Sequence, residues 1–156
     1  VQFENGVGTL KLTDFDFSVP ITTTQVPKKF GGSLLYEPPE FLSSKQVSVQ
    51  TDIFALGVLA YYLFTFQMPF VNSSYDMLKR KEGEEHLVFN DSNKRISPAI
   101  KNFLSLCLHP KPEFRYGSDK VLMRGILKAE REHEKYLNDL RKRGELTNNV
   151  VFPGSM

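Results

Sequence analysis

The chain has 156 residues, 40% of them hydrophobic and 24% charged, which suits one soluble globular domain with its own core and excludes a disordered or fibrous chain. Its formal net charge of +2 is too small to mark nucleic acid or an anionic membrane as a partner. The single cysteine, Cys107, excludes an intrachain disulfide. It reads as a buried side chain in a reducing, intracellular and cytoplasmic setting, and with His86, His109 and His133 scattered it makes no metal site.

The opening residues do not read as a signal peptide. Val1 and Phe3 alternate with polar neighbours, and Asn5-Gly6 is a tight-turn signal, because both residues tolerate the positive φ such turns need. Leu10 and Leu12 alternate again, which predicts a two-stranded hairpin ending at Asp14. From Phe15 to about Leu35 no period holds. Prolines, the Thr22-Thr23-Thr24 run and Gly31-Gly32 mark a loop, and one this long is functional or disordered. Pro38-Pro39-Glu40-Phe41-Leu42 opens a short helix.

Ile53 to Phe66 is an uncharged run too short for a membrane span of about 20 residues; it predicts the central, buried helix, capped by Thr51 or Asp52 and followed by Pro69. Ser74–Lys81 reads as a weaker helix and 83–93 as polar loop. Ser97-Pro98 starts a helix whose buried face is Ile100, Phe103, Leu104, Cys107 and Leu108. The last helix starts near Ser118, with Leu122, Ile126, Ala129, His133, Leu137 and Leu140 on one stripe. Arg141, Lys142 and Arg143 fill its last turn, Gly144 follows, and the tail after Leu146 reads as frayed. The fold class is therefore mainly α with a small β-hairpin.

Taken singly, the polar motifs are weak: Asp14-Phe15-Asp16 is a turn, Asp52 a cap, Arg115 a surface charge. Their order is more specific. LKLTDFDFS resembles the Asp-Phe-Gly opening of a protein kinase activation segment, and GGSLLYEPPEF resembles its Gly-Thr-x-x-Tyr-x-Ala-Pro-Glu close. TDIFALG is similar to the start of the kinase central helix, and LCLHPKPEFR to the late segment that ends in a family arginine. The resemblance covers Val1 to roughly Leu127. It implies a kinase-like C-terminal lobe at 1–128, built around a buried central helix, with a helical extension and tail at 129–156.

By that resemblance Asp14 is the magnesium ligand that serves bound ATP, and Phe15 is the packing residue beside it. Asp16 replaces the family glycine, and aspartate tolerates the left-handed backbone expected there. Ser33 and Tyr36 belong to the loop that receives a protein substrate, and the hydroxyl at 33 is serine/threonine-like. Pro38 replaces an alanine. Glu40 and Arg115 are implied to form a buried structural ion pair, in which loss of one partner costs about 3–5 kcal/mol. Asp52 is implied to bond backbone near the catalytic loop, while Phe54 and Ala55 stand for tryptophan and serine. Thr22, Thr23 and Thr24 are candidate phosphosites, read equally well as polar loop residues.

The chain carries no Gly-rich phosphate loop, no strand lysine with its glutamate partner and no His-Arg-Asp loop, so by resemblance it begins just after the catalytic loop, and no catalytic residue lies in it. Two functions follow. In the first, a full-length parent transfers phosphate from ATP, with magnesium, to serine or threonine of a protein, and this chain alone is inactive and needs no cofactor. In the second, the chain is a pseudokinase-like interaction module that docks through Tyr75–Lys81 and the Leu137 helix. Leu12 and Phe15 are expected on an exposed groove that favours self-association.

Overall fold

The computed structural model describes residues 2–4, 7–9, 11–70, 87, 89 and 95–146. The expected helix over Ser74–Lys81, most of the loop at 83–93 and the tail beyond Leu146 lie outside the described residues. Strand β1 (Gln2–Glu4) pairs antiparallel with β2 (Val7–Thr9), with Gln2 opposite Thr9 and Glu4 opposite Val7. The strand expected to reach Asp14 stops at Thr9, and Lys11 to Phe15 carry no strand. The left-handed backbone falls at Asp14 (φ 65°), not at Asp16.

The aperiodic stretch that follows is built from reverse turns. Ser18 N–H donates to Phe15 O, Thr23 N–H to Pro20 O and Phe30 N–H to Pro27 O, at 2.8–2.9 Å. Phe17 meets Phe30 edge-on at 5.2 Å. One antiparallel bridge, Gln25 to Gln46, ties the stretch to the helical body through Val26 N–H to Lys45 O and Val47 N–H to Thr24 O. A 3-10 turn at Leu34–Tyr36 leads into helix α1 (Pro39–Ser44), whose first residue is a proline that sacrifices no helical hydrogen bond.

Helix α2 (Val49–Thr65) starts earlier than the apolar run suggests. Its cap is Ser48, whose backbone N–H donates to the Thr51 hydroxyl at 3.0 Å, so Asp52 lies inside the first turn and is not the cap. The helix buries Ile53, Phe54, Gly57, Val58 and Tyr61 against helix α3 (Pro98–Cys107). Its opposite side leaves Leu59, Tyr62 and Leu63 open to solvent among the described residues. α2 ends on Phe66 in the left-handed region (φ 56°).

In α3, Pro98 occupies the first turn and the Ser97 hydroxyl accepts from Ile100 N–H at 3.3 Å. Ile100, Phe103, Leu104 and Cys107 face the core. A second 3-10 turn, Pro112–Phe114, packs on α2. Helix α4 (Asp119–Lys142) begins with the Ser118 hydroxyl accepting from Val121 N–H and lies against α3. Ala129 joins the common core, and His133 sits edge-on to Phe64 of α2 at 5.8 Å. The architecture is mainly helical, with one short β ladder among the described residues. No described helix is long and apolar enough to cross a membrane.

Candidate functional site

Two features organise the polar residues: a buried guanidinium beneath α2, and a cavity of about 520 Å³ in front of its first turn. Arg115 reaches the guanidinium position because the Pro112–Phe114 turn delivers it extended against α2. Its side chain is fully buried and that of Glu40 is 9% exposed. The two pair in a fork, Nη1 donating to Oε1 at 2.8 Å and Nη2 to Oε2 at 3.0 Å. The remaining donors reach backbone carbonyls: Nη1 to Gln50 at 3.0 Å, Nη2 to Pro110 at 3.0 Å and Nε to His109 at 2.7 Å. The guanidinium also lies over the Phe54 ring at 4.8 Å. One side chain thus ties α1, the start of α2 and the 109–115 turn together.

The cavity lies between the Phe17–Thr23 turns, the Gly31–Ser33 loop and the α2 residues Thr51, Asp52 and Ala55. It brings together Ser33, Tyr36, Thr23 and Asp52; Asp14 and Phe15 do not line it. Ser33 is exposed, and its carbonyl accepts from Tyr36 N–H at 3.0 Å. Tyr36 is half-buried against the core. Partial burial beside the cavity raises the pKa of Asp52 from its ordinary value. Thr22 and Thr24 are exposed, and Thr23 is half-buried.

Asp14 presents one exposed carboxylate on an irregular segment. No group of three His, Cys, Asp or Glu side chains that could hold a metal occurs among the described residues. Leu12 and Phe15 are 83% and 60% exposed.

The sequence model of the protein kinase domain matches residues 2–126. The chain belongs to the protein kinase family. Among similar proteins, serine/threonine-protein kinase ULK3 of Xenopus laevis is 29% identical over 106 residues, which is 68% of this chain and 23% of that protein. Developmentally-regulated protein kinase 1 of Dictyostelium discoideum is 37% identical over 112 residues, 71% of this chain and 15% of that protein. Aurora kinase of Eremothecium gossypii is 34% identical over 113 residues, 72% of this chain and 30% of that protein. The chain therefore spans less than a third of each of these relatives.

Sequence reasoning passed over Glu37 and Lys45. The Glu37 carboxylate accepts from Gly32 N–H at 3.0 Å, and Lys45 Nζ lies 3.9 Å from its other oxygen and 4.0 Å above the Phe41 ring. The signal available was a lone carboxylate inside the run Leu34-Leu35-Tyr36-Glu37-Pro38-Pro39, where a charge needs a partner.

Proposed function

We propose that the chain is the helical-lobe portion of a serine/threonine protein kinase whose full-length parent transfers phosphate from ATP to serine or threonine of a protein. The observation that supports this best is the Glu40–Arg115 grip. It anchors the downstream end of the 14–40 segment on α2 and leaves Ser33 at the mouth of the cavity. In this reading Ser33 and Tyr36 shape the loop that receives the substrate hydroxyl, and Asp52 offers an acceptor on the cavity floor to backbone that packs there. Thr22, Thr23 and Thr24 are sites where a phosphate would order the segment. In the parent, ATP and magnesium are the cofactors. Asp14 would supply one carboxylate to the ion and Phe15 would pack beside it, while the general base comes from other parts of the polypeptide. The 1–128 part is the kinase lobe and 129–156 an extension, and the lone buried thiol supports a reducing, cytoplasmic setting.

This chain alone is expected to be inactive, because phosphoryl transfer needs positioning and charge stabilisation by several groups at once. The purified chain, incubated with ATP, magnesium and a serine peptide, should transfer no phosphate. Turnover that vanishes in Asp14→Asn would overturn that expectation. The alternative reading is a pseudokinase-like interaction module docking through Tyr75–Lys81, which lies outside the described residues, and the Leu137 helix; separately, the open apolar surface of Leu12 and Phe15 supports self-association. That exposed surface predicts concentration-dependent self-association in sedimentation, and a strictly monomeric species at high concentration would count against it.

A further inference from the structure

The Gly32–Tyr36 loop is closed twice. Backbone bonds from Tyr36 N–H to Ser33 O and from Glu37 N–H to Leu34 O form its turn, at 3.0 and 3.3 Å. The Glu37 side chain then folds back to accept the Gly32 N–H at 3.0 Å. This carboxylate is held away from solvent, its side chain only 13% exposed. Space is shaped around it: a Cβ on Gly31 would stand 2.8 Å from Glu37 Oε1, so position 31 accepts no side chain while the carboxylate is in place.

Lys45 is fixed at every end. Its backbone is left-handed (φ 55°), and its N–H caps α1 on Glu40 and Phe41 carbonyls. Its carbonyl accepts from Val26 N–H at 3.0 Å, in the bridge that also pairs Thr24 O with Val47 N–H. Its ammonium points back to Glu37 across the face of Phe41. A continuous line of contacts therefore runs from the threonine stretch through Lys45 and Glu37 to Gly32 and Ser33.

We propose that Glu37, anchored by Lys45, is the positioning residue that holds the Gly32–Tyr36 loop in the shape presenting Ser33, and that Lys45 couples this loop to the Thr24–Val26 bridge. The contacts stand by themselves, whereas the role in receiving substrate rests on the function proposed above. A shift of the threonine stretch, by phosphorylation or by a docking partner, pulls on the Lys45 carbonyl and is felt at Ser33 through one ion pair and one hydrogen bond. A carboxylate serves here because a single side chain has two acceptors, one for the amide and one for the ammonium.

The test is residue-resolved amide hydrogen exchange by NMR on the full 156-residue chain in wild type, E37A, E37Q, K45M and E37A/K45M. In E37A the Gly32 amide should exchange roughly tenfold faster or more, as expected for losing a charged acceptor. Val26 should also accelerate, while Leu104 in α3 stays unchanged. In E37Q the amide oxygen still accepts, so Gly32 should remain within about threefold of wild type. Adding K45M to E37A should change nothing further at Gly32. Independent, additive effects of E37A and K45M, or equal acceleration at Leu104, would overturn the relay. A serine peptide should shift the Ser33 resonance in wild type and less in E37A. If the exchange pattern holds while the peptide shifts neither, the relay stands and the substrate-receiving reading of the loop fails.

Discussion

Replacing Glu40 by glutamine keeps the shape of the side chain and removes its charge and one of its two acceptors. The remaining oxygen can take one N–H of Arg115, and the new amide donors face the other. The Arg115 side chain is fully buried, so its guanidinium stays in the core with half of its fork unmatched. The three carbonyl bonds, to Gln50, Pro110 and His109, are kept and soften the loss. Breaking such a pair from one side costs about 3–5 kcal/mol, a large part of a total stability of about 5–15 kcal/mol. With an m-value of about 2 kcal/mol/M in urea, the midpoint should fall by about 1.5–2.5 M. Urea unfolding followed by circular dichroism measures it, with Arg115→Lys as companion. Lysine keeps the charge but has a single nitrogen in place of the fork, so that variant should also lose stability. A loss below about 1 kcal/mol in Glu40→Gln would place the pair with exposed ion pairs of little worth and refute its role as the anchor of α1.

Gly57→Ala should destabilise by about 1–3 kcal/mol, because its Cβ would stand 2.7 Å from Cys107 Cβ and 3.1 Å from Leu108, both on packed elements; thermal unfolding reads this, and an unchanged midpoint would count against the tight α2–α3 crossing. Burial pushes the Cys107 thiol up to about 12, with the Arg115 charge opposing only in part, so the native chain should resist iodoacetamide at pH 8 and react once unfolded. His133 has its pKa lowered by desolvation, and its Nδ1 is buried without a hydrogen-bond partner among the described residues. The unfolded chain takes up this proton near its ordinary value of about 6.5 and the native chain only at lower pH. Stability from this group is therefore complete above about pH 6.5 and lost as pH falls towards the folded value. His133→Phe should flatten that part of the stability profile, and an identical profile in the variant would refute the assignment.

Local chemistry was legible wherever a residue's neighbours in sequence are also its neighbours in space. The Ser97-Pro98 and Ser118 helix starts and the α3 face of Ile100, Phe103, Leu104 and Cys107 are of this kind, because capping and helical periodicity act over three or four residues. The start of α2 was missed by four residues. Its cap is Ser48 with Thr51, while the apolar run that draws attention begins only at Ile53. The hairpin alternation that runs on through Leu12 suggested strand over Lys11–Asp14, where the structure has none, since alternation without a partner strand does not hold an extended backbone.

The sequence by itself determined the helices that carry the core, because apolar spacing dictates which face turns inward, and its resemblance to the kinase family implied the Glu40–Arg115 pair. Only the tertiary structure decided which backbone carbonyls complete the Arg115 fork, that Glu37 turns back on Gly32 and that Lys45 joins two loops and the end of α1 through three different atoms. Those choices depend on atoms brought within about 3–4 Å from positions up to 75 residues apart, and no local pattern encodes such distances.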